Sequence, residues 1–163
     1  MNLNIRDLDP NSEKEILLVA TRMRETLMEV MGNERGTNYY SMEWLIDRVR
    51  WHLDSTKTDA RIFLMENAGQ EIVGHAIARI EKDEEGLNYG YFSTVFVDRT
   101  ARKSGIATRL IKHVQDWFVD KCMHKIVYNT ATNHVQLIRL LERQGYEITK
   151  QHDEMVQLTK QLL

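Results

Sequence analysis

Between Asn88 and Trp117 the chain passes from a β-prone run into a helical period with only a short basic loop in between. No other stretch constrains the fold as strongly. Asn88 to Val97 is rich in aromatic and β-branched residues, the composition that fits a pleated surface. Beyond the loop, Ile106, Leu110, Val114 and Trp117 recur at steps of four and three and so share one helix face. A strand that feeds straight into an amphipathic helix needs a sheet for that helix to cover, which demands a layered α/β domain.

The flanks extend the pattern. Asn2 to Leu8 alternates Leu3, Ile5 and Leu8 with polar neighbours and stops at Asp9-Pro10, as an edge strand would. Ser12 and Glu15 have capping-box spacing ahead of Ile16, Ala20, Met23, Leu27 and Val30, which form an amphipathic helix closing near Gly32. After a loop at Gly36-Thr37-Asn38, the residues Met42, Leu45, Ile46, Val49 and Leu53 make a second helical stripe that ends around Asp54. Arg61 to Met65 reads as a strand, Asn67 to Gln70 as a turn, and Glu71 to Glu81 as the return strand with Ile72, Ala76, Ala78 and Ile80 on one face. A turn at Asp83 to Gly86 then leads to Asn88. His124 to Ala131 is a strand, and Asn133 to Arg143 a helix with Val135, Ile138 and Leu141 inside, ended by Gly145. Tyr146 to Thr149 and Met155 to Thr159 close the chain as strands. The order β-α-α-β-β-β-α-β-α-β-β describes an α/β (α+β) fold, a mixed sheet covered by helices in one domain over residues 1–163.

Composition narrows the function classes. With 42% hydrophobic and 28% charged residues the chain is globular, and no apolar run approaches the roughly 20 residues of a membrane helix. No basic region followed by an apolar stretch stands at Met1 to Arg6, so a cytoplasmic location and no membrane partner are expected. A net charge of -2 gives no global reason to expect nucleic acid, although Glu81 to Glu85 is acidic and Arg99 to Lys103 basic. The six histidines lack zinc spacing, so no metal is expected. Cys122 is the single cysteine, and its place at the end of a helical pattern predicts a packed thiol rather than a nucleophile.

The basic loop is where chemistry can sit. Amides at a helix N-terminus have no intrahelical partner and face outward with the positive end of the dipole, which suits phosphate. Gly105 lets the backbone approach closely, while Arg102 and Lys103 add charge that Arg99 and Lys112 supplement. By itself such a loop is more often a solvated connection. A P-loop lysine and a G-x-G-x-x-G run are both missing.

In Arg102-Lys103-Ser104-Gly105-Ile106-Ala107 the chain resembles the GNAT N-acetyltransferase superfamily, whose signature is Arg or Gln, two residues, Gly, one residue, then Gly or Ala. Val95-Phe96-Val97 ends five residues before Arg102, as the family's aliphatic strand end does, and Leu140 to Tyr146 resembles its helix-to-strand element ending in Gly-aromatic. The resemblance implies a mostly antiparallel sheet flanked by helices and acetyl-CoA as co-substrate. Arg102, Lys103, Ser104, Gly105, Ile106 and Ala107 would wrap the pyrophosphate, and Val95, Phe96 and Val97 would pair their backbone with pantetheine. An amide there would polarise the thioester carbonyl. Asn133 would lie against the cofactor, one residue earlier than the family's usual count.

The implied activity is acetyl transfer to a primary amine of a small molecule. The alternatives are transfer to a protein or peptide amine, and a CoA-binding module without turnover that serves as a sensor or partner subunit. A protein-interaction domain that merely carries a basic loop is a third reading. Leu141 stands where the family often has a tyrosine that reprotonates the thiolate. Proton-transfer candidates are Tyr91 and Glu81, followed by His75 and Tyr128. The acceptor pocket is expected from Met31 to Trp44, with Glu34, Arg35, Tyr39, Tyr40, Glu43 and Trp44 suited to a cationic amine. Met and aromatic residues on both early helices leave a homodimer open.

Overall fold

The computed structural model describes residues 2–32 and 40–162. Among the described residues seven strands form one sheet: β1 Asn4–Asp7, β2 Ala60–Glu66, β3 Ile72–Lys82, β4 Asn88–Val97, β5 Lys125–Ala131, β6 Glu147–His152 and β7 Met155–Gln161. They lie in the order β1-β2-β3-β4-β5-β7-β6, and only β4 and β5 run parallel. Among the described residues four α-helices accompany them: α1 Glu13–Met31, α2 Met42–Leu53, α3 Ile106–Asp120 and α4 Val135–Arg143. The sheet is mixed, mostly antiparallel and covered by helices, as expected.

Both faces are packed. On one, Ile16, Val19 and Ala20 of α1 and Leu45 and Val49 of α2 bury Ile62, Leu64 and Ile77. On the other, Ile106, Leu110, Ile111, Val114 and Phe118 of α3 join Leu137 and Leu141 of α4 over Phe63, Met65, Ala76, Phe92 and Ile126. This explains why β2 reads as a continuous apolar run rather than an alternating one.

Local chemistry sets the ends. The Ser12 Oγ accepts from the Glu15 amide at 3.2 Å, but the capping box is only half formed. The Glu15 carboxylate turns outward instead, accepting from the Asp9 amide at 3.0 Å and from Arg6 at 2.7 Å. At the end of α4, Gly145 has φ +93°, and the Gly145 and Tyr146 amides donate to Glu142 O and Leu141 O. That is a Schellman closure, which needs a residue tolerant of the left-handed region.

Three expectations are corrected. Ile72 does not share a face with Ala76, Ala78 and Ile80: it packs on the α1/α2 side, whereas the others pack on the α3 side. The register jumps from Met65↔Gly74 to Glu66↔Ile72, and the extra residue reverses the side-chain parity. Val135 is exposed, and Leu137 with Leu141, four residues apart and so on one helix face, forms the buried stripe. Cys122 is exposed, since the chain leaves α3 through a residue at φ +62° and carries its thiol outward.

Candidate active site

The site is made by the parallel pair coming apart. β4 and β5 are in register only at Gly90↔Ile126 and Tyr91↔Val127. Immediately beyond, the β3–β4 pairing passes from Ala78↔Phe92 to Ile77↔Thr94, which leaves Ser93 as a bulge residue. A bulge bends its strand, while β5 stays bonded to β7 from Lys125 to Ala131 and does not follow. A cleft of about 1110 Å³ fills the gap, lined by Ser93 and Thr94 of β4, Tyr128 to Ala131 of β5, α1 (Met23, Leu27) and α2 (Trp44, Arg48).

The free edge of β4 is held by side chains. The Val95 amide donates to the Tyr128 hydroxyl at 3.2 Å, and the Val97 carbonyl accepts from Arg102 Nε at 2.9 Å. Arg102 and Arg99 also bind Glu29 of α1, at 3.2 and 2.9 Å. Burial pushes the Glu29 carboxyl up, but these two guanidinium contacts outweigh it and hold the group below its usual range.

Beyond β4, Asp98 caps a short 3₁₀ turn at Arg99–Ala101, and Gly105, at φ +83°, precedes α3 as its N-cap without a side-chain bond. Among the described residues the backbone amides of 102–108 have no acceptor, whereas the Arg109 amide bonds Gly105 O at 3.1 Å. Uncapped amides, the helix dipole, and the nearby Lys103 and Arg102 give this corner the character of an anion site. A Cβ at Gly105 would meet nothing within 4 Å, so the space in front of it is open.

At the apex, Tyr91 and Tyr128 both line the cleft. Asn129 Nδ2 donates to the Tyr91 hydroxyl at 3.3 Å. Burial raises the Tyr128 phenol well above its ordinary pKa, opposed in part by the Val95 amide and Thr94. Arg79, across from Tyr91 in register, lays its guanidinium 4.3 Å from the Tyr91 ring centroid. It donates through Nε to Glu81 at 2.5 Å and through Nη1 to His52 Nε2 at 3.0 Å. Because arginine only donates, His52 carries its proton on Nδ1, which donates to Arg48 O at 2.9 Å. Burial, with Arg79 and Arg48 nearby, lowers the His52 pKa to about 4 and keeps the ring neutral.

Tyr91, Tyr128 and Asn133 line the cleft, and Asn133 Nδ2 donates to Val30 O at 2.8 Å. Glu81 is outside the lining and engaged with Arg79. His75 is fully buried outside the cleft and stacked on Phe96, and neither ring nitrogen has a partner among the described residues. Leu141 is a core residue with no exposure. Tyr40 and Trp44 reach the cleft with ring centroids 4.7 Å apart, whereas Glu43 is exposed outside its lining. Glu34, Arg35 and Tyr39 fall outside the described residues. Arg48, Arg79 and Asn129 were not foreseen from sequence, because only the β4–β5 splay, a long-range feature, brings them to one opening.

The model of the Acetyltransferase (GNAT) family matches residues 21–146. The chain therefore belongs to the GNAT acetyltransferase family and is an acyltransferase. No curated protein matches it by sequence. Solved structures share the fold at low identity. The PaiA N-acetyltransferase of Thermoplasma acidophilum, in complex with coenzyme A, has TM-score 0.77 and 11% identity over 99% of both chains. A chain of the NatC complex bound to Gag peptide and CoA has TM-score 0.73 and 16% identity over 100% of both. A GNAT family acetyltransferase of Staphylococcus aureus Mu50 has TM-score 0.73 and 18% identity over 99% of this chain and 100% of that one.

Proposed function

We propose that the chain transfers the acetyl group of acetyl-CoA to the primary amine of a small molecule by direct attack on the thioester. The observation that carries this reading is the conjunction, beside one cleft, of an uncapped helix N-terminus and a strand edge that side chains hold at Val95 and Val97. The amides of Arg102, Lys103, Ser104, Gly105, Ile106 and Ala107 would hold the pyrophosphate. Val95 N–H and Val97 C=O lie two residues apart on one strand edge, the spacing at which an extended arm adds as a further strand. Phe96 lies between them, and Asn133 stands at the mouth. The CoA-bound PaiA and NatC structures support the assignment.

An alkyl amine has a pKa of about 10 and arrives protonated. Tyr91 can relay that proton: its oxygen accepts from Asn129, keeps a second lone pair for the amine, and passes its own O–H to solvent. Tyr128 stays protonated at neutral pH and can donate to the departing sulfur, the role that Leu141 cannot fill. Earlier, as the amine attacks, the Val95 amide would turn from the Tyr128 hydroxyl to the charge developing on the thioester oxygen.

Leu141 also supports a second reading, a CoA-binding module without turnover. Thiol release from acetyl-CoA, measured across small primary amines and N-terminal peptides, separates the readings. Release above the hydrolysis background with a small amine is expected. Release only with peptides would move the acceptor to a protein terminus, and none at all would leave the module.

A further inference from the structure

We infer that the amine accepted by this cleft also carries a carboxylate, which Arg48 and Arg79 receive; this deepens the acetyltransferase reading and rests on it. Arg48 lines the cleft, half-buried, with its guanidinium 4.2 Å from the Trp51 ring centroid. Among the described residues its guanidinium has no hydrogen-bond or ion-pair partner. Burial, and next the charge of Arg79, lowers its pKa, so this cation is poorly solvated and stands beside a like charge. Arg79, 9% exposed, commits Nε to Glu81 and Nη1 to His52, which leaves Nη2 without a partner among the described residues.

The charges do not balance at this end. Among the described residues two guanidiniums face one carboxylate, Glu81, and the neutral His52 adds nothing. The described acids that line the cleft, Asp153 and Glu154, belong to the far end, where the Thr132 amide donates to Glu154 O. Thr132 is five residues along β5 and its exit from Val127 at the apex, about 16 Å at 3.3 Å per residue. A planar carboxylate matches the guanidinium fork, so one anionic group on the acceptor would complete this corner. Arg79 lies 4.3 Å from the Tyr91 ring, so carboxylate and amine must be only a few bonds apart, as in an amino acid. Glu81 and His52 act as positioning residues that fix the Arg79 fork.

The test compares kcat/KM for leucine against leucinamide, and for 4-aminobutyrate against its carboxamide, in the wild type and in Arg48→Gln. The amide of leucine has the larger fraction of free amine, so a preference for the acid cannot come from basicity. A carboxylate preference of about 10- to 100-fold is expected in the wild type, falling to within about threefold in Arg48→Gln. The melting-temperature rise with acetyl-CoA should persist in the variant. Equal or better use of carboxamides, or an unchanged preference in Arg48→Gln, would overturn the inference. Should no amine turn over while acetyl-CoA still stabilises the protein, the transferase reading fails on its own. Calorimetry of N-acetyl-leucine and N-acetyl-leucinamide on the CoA-loaded protein then decides. Selective binding of the acid that is lost in Arg48→Gln upholds the anion site; equal binding, or none, refutes it.

Discussion

Replacing Gly90 by alanine should strain the sheet at the point where the cleft begins. Gly90 pairs with Ile126 in the short parallel segment, and an added Cβ would stand 2.7 Å from Phe118 Cδ1 and 2.8 Å from both Cγ and Cε1. Carbon atoms pack best at about 3.5–4.0 Å, so the overlap is close to 1 Å against three ring atoms at once. Phe118 is fully buried among α3, β4 and β5 and has nowhere to retreat. Overpacking of this kind costs about 1–3 kcal/mol. In a domain of this size each kcal/mol moves Tm by about 2–4 °C, so a loss of roughly 2 to 12 °C is expected in a thermal melt. The double variant Gly90→Ala with Phe118→Leu should be less destabilised than the two single losses added together, because the smaller side chain vacates the space. A Gly90→Ala protein melting within about 1 °C of the wild type would refute the steric argument.

Tyr128→Phe should lower kcat by about 10²-fold while leaving the KM for acetyl-CoA within a few fold, since positioned proton transfer contributes on the order of 10²–10⁴; steady-state thiol release measures both. His75→Phe should flatten the acid side of stability. Burial, with Arg22 next, depresses the His75 pKa from 6.5 to about 3. The folded state therefore binds fewer protons than the unfolded one: stability from the neutral ring is full above 6.5 and is lost as pH falls toward 3. Melts of wild type and variant should diverge below about pH 6, with the variant the less acid-sensitive. Because neither ring nitrogen has a partner among the described residues, the substitution should cost little at neutral pH.

Much of the fold was legible because the periods were local. Asn88 to Val97 and the stripe of Ile106, Leu110 and Val114 each report their own burial, and the structure returns β4 and α3 at those positions. The alternation alone puts Ile72 on the wrong face, because a single extra residue in the β2–β3 register changes the face of everything before it. The loop from Arg102 to Ala107 could be read because its amides are local consequences of starting a helix at Gly105. Arg48 and Arg79 could not, since one reads as an ordinary helix cation and the other as a strand residue. Only the bulge at Ser93, the α2 packing and the register between β3 and β4 bring them to the same opening. The Arg102 contacts with Val97 and Glu29 were equally hidden, being set by where α1 ends against the loop.

The most direct test of the acetyl-CoA site is thermal unfolding of the wild type and of Gly105→Glu, with and without the ligand. A ligand at about 100 times its dissociation constant adds roughly 2.7 kcal/mol, a rise of about 5 to 10 °C for this chain. The glutamate would project a negative charge into the open space before the free amides of α3 and disfavour a bound pyrophosphate. A rise in the wild type that is lost in Gly105→Glu is the predicted result. An unchanged melting temperature in the wild type at saturating acetyl-CoA would contradict it.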